Sequence, residues 1–221
     1  MTRIVYGIFG CGGFGREGIE LARQTCLDVH GAADMFELVF VEDRPQLQSV
    51  DGYRVLALDE FLALDAPRRF NVLVADAQVR ARVAAQCEAG GIEPFTIRSR
   101  TADIHPTAKI DVGAVLCQFT VVSANANVGR FFHLNHHGYV SHDCRVGDFV
   151  TFAPAVRCNG TIDIGDFAYL GSGATLRNGT TDRPMRIGAG AVVGMGSVVL
   201  ASVEDGETVV GNPARLLKAR R

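Results

Sequence analysis

Two clusters of residues in this chain have the types and spacing to do chemistry. The first is Gly10-Cys11-Gly12-Gly13-Phe14-Gly15-Arg16, in which Gly10, Gly12 and Gly15 fit G-x-G-x-x-G. Bare backbone in such a loop lets phosphate oxygens approach, and a helix that starts there adds free N–H groups and a partial positive charge. The acidic pair Glu42-Asp43 follows about thirty positions after Gly12, later than the roughly twenty usual for a ribose contact in a dinucleotide site. A nucleotide diphosphate suits this loop better than a nicotinamide cofactor, and a turn that merely packs is the alternative. The second cluster places four of the six histidines, His133, His136, His137 and His142, within ten residues, and Asp143 follows the last. Imidazole can ligate a metal. It can also serve as general base for an amine or hydroxyl attacking a thioester, with a neighbouring carboxylate fixing its tautomer. Adjacent residues of a strand face opposite sides, so His142 and Asp143 pair only if a corner brings them together; His136 and His137 therefore remain rival bases. For His30, His105 and His133 an ordinary surface role is expected. Cys144, beside His142, is expected to be a bystander rather than a nucleophile, because a strand neighbour faces away from the base.

The elements that must position these residues differ between the two halves. Ile4–Phe9 reads as a buried strand entering the glycine loop, and a helix follows over about 14–28. Further strands are expected at 36–41, 53–58, 71–75 and 94–97. Helices are expected after Asp59, read as an N-cap, and over 78–89. Strand–helix alternation of this kind makes a small parallel α/β sheet, too small for a full dinucleotide fold. From about His105 the rhythm changes. Val112-Gly113, Val128-Gly129, Val146-Gly147, Ile164-Gly165 and Ile187-Gly188 repeat one aliphatic–glycine step, and Gly129, Gly147 and Gly165 are spaced eighteen residues apart. Hexads (Ile110, Val122, Val128, Val140, Val146, Ile164, Leu170, Leu176) fill the gaps. A fixed short period predicts a solenoid whose aliphatic residues point into the stack, with the following glycine expected to turn a corner at positive φ. The step from Gly165 to Gly188 is five residues longer, so Asn178–Pro184 is expected to bulge as a loop. The domains are expected at 1–100 and 101–221, the second leaving its solenoid through Val209–Arg215 into a short helix.

Composition excludes several classes. Lys and Arg number 22 against 24 Asp and Glu, with no basic block beyond the short tail, so no nucleic-acid partner is expected. No apolar run approaches the ~20 residues of a membrane span. The N-terminus has no signal-peptide build, and the six cysteines lack metal-type spacing, so a cytoplasmic protein with reduced thiols is expected.

The phased aliphatic–glycine steps resemble the hexapeptide repeat of left-handed parallel β-helix acyltransferases. Gly-Asn-Pro-Ala-Arg at 211–215 matches an ending common in that superfamily. The glycine loop, Asn135-His136-His137 and His142-Asp143-Cys144-Arg145-Val146-Gly147-Asp148 together resemble the PglD/NeuD-type sugar acyltransferases over nearly the whole chain. The resemblance implies a Rossmann-like nucleotide-sugar-binding domain followed by a left-handed β-helix. It also implies transfer from acetyl-CoA to the amino group of a nucleotide-diphosphate-linked amino sugar. His142 would be the base, Asp143 its orienting carboxylate and Gly160 the N–H donor to the thioester carbonyl. Coenzyme A would meet Thr151, Ser172 and Met195. The acceptor would meet Gly12, Gly13, Phe14, Glu42 and Asp43, with Asn135 near its reacting end. A homotrimer with active sites between subunits, and no metal, completes what the resemblance implies. O-acetylation of sialic acid or another sugar, a histidine-cluster metalloenzyme, and a non-catalytic nucleotide-sugar-binding protein are the alternatives.

Overall fold

The computed structural model describes residues 3–217. The chain divides into two compact units, Met1–Ser99 and Arg100–Arg221.

The first unit is built on strands β1 (Ile4–Phe9), β2 (Phe36–Glu42), β3 (Ser49–Val50), β4 (Tyr53–Ala57), β5 (Arg68–Val72) and β6 (Glu93–Pro94). They form one sheet in the order β3-β4-β2-β1-β5-β6, parallel except for the β3–β4 hairpin. Helices α1 (Gly13–His30), α2 (Leu58–Ala63) and α3 (Ala77–Ala89) link the strands. β1 and β2 run apolar almost throughout and are buried, as central strands covered on both faces must be. Helix α2 starts from Ala57 rather than Asp59; Asp59 sits in its first turn, and the Glu60 carboxylate accepts the Ala57 N–H at 2.9 Å. β5 begins three residues earlier than the apolar run suggested. Arg68 and Arg69 pair with Val5 and Tyr6, and the Arg68 guanidinium turns back to donate to the carbonyls of Phe61 and Leu62 at the end of α2. α3 is capped by Asp76, whose carboxylate accepts the N–H groups of Gln78 and Val79 at 2.9 and 3.0 Å.

The second unit is a parallel β-helix of three faces. Each coil contributes two- or three-residue strands such as His133–Leu134, Tyr139–Val140 and Arg145–Val146, paired in register with residues eighteen positions on. Val128, Val146, Ile164, Ile187 and their hexad companions fill the interior, closing a dry core that no single coil could make.

The corners correct two expectations. Val112-Gly113 is out of phase: Val128 pairs with Ile110, and Val112 lies on a corner, 43% exposed. The glycines that follow Val128 and Val146 also do not have positive φ. Positive φ falls two residues later, at Phe131 and Phe149. A Cβ on Gly129 would lie 2.7 Å from the Gly147 carbonyl carbon, and one on Gly165 2.7 Å from Ala189 Cα. Clearance between stacked coils, not backbone handedness, demands these glycines. The longer coil closes over a small hairpin in which Thr180 and Arg183 exchange backbone hydrogen bonds of 3.1 and 3.0 Å. The exit also differs: after Val210 the chain turns and Arg215–Leu216 returns as a strand antiparallel to Thr208–Val210. The tail beyond Leu217, where the short helix was expected to continue, lies outside the described residues.

Candidate active site

Each coil makes three corners, and one corner column carries the residues expected to form the base and its partners. It stacks Asn125, His142-Asp143 and Gly160-Thr161, joined by Asp143 N–H to Ala124 carbonyl and Thr161 N–H to His142 carbonyl, both 3.0 Å. Asp143 has φ 58°, in the left-handed region. That turn removes the strand alternation that would separate neighbouring side chains, and His142 Nδ1 meets Asp143 Oδ2 at 2.9 Å. The other carboxylate oxygen accepts Asn125 Nδ2–H at 3.0 Å. The His142 hydrogen bond, and after it that of Asn125, hold the Asp143 carboxyl below its ordinary range. With Nδ1 engaged, Nε2 is the nitrogen left to take a proton.

Gly160 lies directly beneath the imidazole: a Cβ there would come within 2.6 Å of His142 Nε2. Gly160 is buried, and its N–H has no hydrogen-bond partner among the described residues. A ring nitrogen, an orienting carboxylate and an unused N–H donor thus share one corner, the set needed to take a proton and stabilise an oxyanion.

The rival histidines lack this support. His137 stacks on Phe119 at 5.2 Å, and among the described residues neither it nor His136 has a carboxylate partner. His133, expected at the surface, is 1% exposed. Cys144 is buried, its Sγ 3.1 Å from the Asn159 carbonyl oxygen, inside the coil. No three His, Cys, Asp or Glu among the described residues converge as a metal site.

The positions expected to hold coenzyme A separate. Ser172 and Met195 are exposed and adjacent on the His137 corner column, Met195 at 81% exposure and Gly196 N–H bonded to the Ser172 carbonyl. Thr151 is buried on the strand leading to that column, in register with His133 and Tyr169. Asn135 stands one corner before His142, its amide donating to the Phe152 carbonyl at 2.8 Å.

In the first unit the glycines have divided roles. A Cβ on Gly15 would overlap the Gly10 carbonyl, and one on Gly18 would overlap Leu73, so these hold α1 close against the sheet. Gly12 and Gly13 have nothing within 4 Å of where a Cβ would stand. Gly12 is the N-cap of α1, and neither a side-chain cap nor an acidic residue occupies the first turn. Bare backbone and a positive helix end therefore face open space, as phosphate binding requires. Cys11 N–H donates to Glu42 Oε1 at 3.1 Å, tying the loop to the end of β2. Burial, and after it the Glu42 hydrogen bond, push the Cys11 thiol up to about 12. A cleft of about 270 Å³ opens where β1, β2 and β5 end, at the place where the strand order reverses.

No protein-family model matches the chain. It is 44% identical over 215 residues to the GDP-perosamine N-acetyltransferase of Escherichia coli O157:H7, covering 97% of this chain and 96% of that one. The chain belongs to the PglD/NeuD-type sugar acyltransferases. The solved structure of WeeI from Acinetobacter baumannii AYE matches with a TM-score of 0.91 at 40% identity, covering 97% of this chain and all of that one. The acetyltransferase domain of PglB from Neisseria gonorrhoeae FA1090, in complex with acetyl coenzyme A, matches at 0.85 and 29% identity, over 98% and 100% of the two chains. The α/β unit and left-handed β-helix described above are the fold of this family. The chain is an acetyl-CoA-dependent N-acetyltransferase of nucleotide-linked amino sugars.

One contributor escaped the sequence reading. Asn125 stands eighteen residues, one coil, before Asp143, so the period could have found it.

Proposed function

We propose that the chain acetylates the amino group of a GDP-linked amino sugar of the perosamine type, with His142 as general base. The single observation that carries this is the His142–Asp143 hydrogen bond over the unpartnered Gly160 N–H. Similarity to the Escherichia coli GDP-perosamine enzyme supports the choice of acceptor.

The acceptor nitrogen attacks the thioester carbonyl carbon, forming the C–N bond. His142 Nε2 takes the proton that nitrogen loses, while Asp143 holds Nδ1–H and balances the imidazolium. The carbonyl oxygen, now an oxyanion, accepts the Gly160 N–H. Collapse breaks the C–S bond, and the proton passes from His142 to the departing sulfur, leaving the amide and free coenzyme A.

Gly12 and Gly13, with Phe14 beside them, receive the diphosphate at the start of α1, and Glu42 and Asp43 line the cleft for the nucleoside. Ser172, Met195 and Asn135 belong to a different corner column from His142, so a single chain does not gather them. A homotrimer in which one subunit's His137 column faces the next subunit's His142 column brings them together. Phe119, 59% exposed, and Met195 on that column are apolar surface suited to such cover. Thr151 then acts from behind, through the strand. No described helix is long and apolar enough to cross a membrane, and acetyl-CoA supply fits a cytoplasmic location.

The test is thiol release from acetyl-CoA across GDP-, UDP- and dTDP-linked amino sugars, with sialic acid as hydroxyl acceptor. Release with the GDP-linked amine is expected; release only with a hydroxyl acceptor, or with none, overturns the reading.

A further inference from the structure

The cleft at the ends of β1, β2 and β5 carries apolar residues beside charged ones, Arg44 among them. Phe9, Val74, Val79 and Val83 line it together with Glu42 and Asp43. Val79 and Val83 are one turn apart on α3, so a flat aromatic ring can lie against them. The two carboxylates are not equivalent. Glu42 already accepts the Cys11 N–H and is committed to the glycine loop. Asp43 lies beside Arg82, Nη2 to Oδ2 at 3.6 Å with both side chains more than half exposed, and Arg44 follows it in the cleft lining. Its carboxylate keeps acceptor capacity for a ligand in the cleft.

We propose that Asp43 selects a guanine base, with Arg82 as its positioning residue; this rests on the nucleotide-sugar reading above. A carboxylate offers two acceptors and no donor. Guanine places two donors side by side, N1–H and the N2 amino group, and can engage both oxygens. Adenine sets its amino group beside the N1 lone pair, cytosine sets its own beside N3, and uracil flanks N3–H with two carbonyls. Each of those edges turns a lone pair toward the carboxylate. Discrimination therefore comes from repulsion of the wrong base as well as attraction of the right one. Arg82 holds the carboxylate along the mouth of the cleft without touching the base.

Calorimetric titration of GDP, inosine diphosphate, UDP and xanthosine diphosphate into the full chain tests this. Inosine diphosphate differs from GDP only by the missing N2 amino group. The wild type is expected to bind GDP about tenfold more tightly than inosine diphosphate, the effect of one lost charge-assisted hydrogen bond, and to bind UDP more weakly than GDP. Asp43→Asn is expected to bind GDP and inosine diphosphate alike. It should gain about tenfold for xanthosine diphosphate, because an amide donates to the xanthine C2 carbonyl while accepting from N1–H. That gain cannot come from a damaged fold. Arg82→Gln is expected to reduce the GDP-to-inosine ratio by a few-fold, and Arg82→Lys to restore it. An unchanged ratio in Asp43→Asn, or no preference in the wild type, overturns the proposal. Turnover of GDP-perosamine measured in parallel separates the two readings. A ratio that responds to Asp43 without turnover sinks the acceptor assignment alone, and turnover with an unresponsive ratio sinks the base reader alone.

Discussion

The His142 corner and the Phe149 corner of the β-helix share one backbone conformation and do opposite things. Phe131, Phe149 and Phe167 occupy the left-handed position of their column at φ 52, 57 and 62°, and Asp143 occupies it at 58°. At the phenylalanine corner the acid comes one residue earlier. Asp148 Oδ1 accepts the Arg130 N–H of the coil before, and Asp166 Oδ1 accepts the Asp148 N–H, both at 2.8 Å. Those carboxylates bind backbone, while the rings stack at 5.2 and 5.4 Å, nearly parallel. Moving the acid one place along, into the left-handed position, turns one oxygen toward the side chain before it, while the other accepts a side-chain N–H of the coil before it. A histidine in that preceding place then has its ring held through Nδ1. The fold supplies the corner; the order of two residues decides whether the acid there meets only backbone or meets a ring that can serve as the proposed base.

The largest effect follows from taking the base away. His142→Ala is expected to lower turnover about 10³-fold, measured as thiol release, with the melting temperature unchanged because the side chain is 59% exposed. Turnover near the wild-type rate would remove the functional half of the comparison. The counterpart on the other corner is Phe149→Ala, which deletes the middle ring of the stack. It should cost about 3 kcal/mol of stability in denaturant unfolding and leave turnover of the folded enzyme intact; a kinetic defect without a stability loss would show that the two corners are not separable. Gly160→Ala comes next. Its Cβ would sit 2.6 Å from Nε2 and must push the ring aside, so a loss of about 10²-fold in turnover is expected, with coenzyme A binding as the control.

The contrast also shows what a sequence can reveal. The eighteen-residue period was readable because every coil must repeat the same inward aliphatic residue, whereas the His142-Asp143 pair was singled out by its resemblance to a family motif. The reason for each glycine was not. Spacing cannot distinguish a glycine that needs positive φ from one that needs clearance, and Gly129 and Gly147 are of the second kind. Val112-Gly113 copied the step out of phase because an aliphatic–glycine pair can also form a corner. β5 was displaced because Arg68 and Arg69 look like loop residues until the carbonyls that Arg68 serves are known. Strand alternation argued against a His142–Asp143 pair; only the left-handed turn at Asp143 reverses that. Whether Thr151 faces solvent depends on packing that no local pattern records.

Asp143→Asn gives the smallest effect and the sharpest test of the comparison. The amide oxygen can still accept the Nδ1–H, so the ring stays oriented, while the charge and the acceptor that Asn125 uses are lost. Losing one charge-assisted hydrogen bond to the base is worth about tenfold, and a fall of that order in kcat/KM is expected. Without the carboxylate the imidazolium expected in the proposed step lacks its balancing charge, so the loss should fall on kcat while coenzyme A affinity holds. The carboxyl itself, held below its ordinary range by His142 and Asn125, keeps its charge above the ordinary carboxylate value and loses its contribution only as pH falls through the depressed value. Its own titration therefore lies below the ordinary carboxylate range, so near neutral pH the variant compares a charged carboxylate with a neutral amide. Asp148→Asn removes the same charge from the phenylalanine corner, where the acid holds only backbone N–H, and should leave kcat/KM in place. If both variants move it equally, general electrostatics rather than the order of residues at one corner sets the base, and the distinction between the two corners fails.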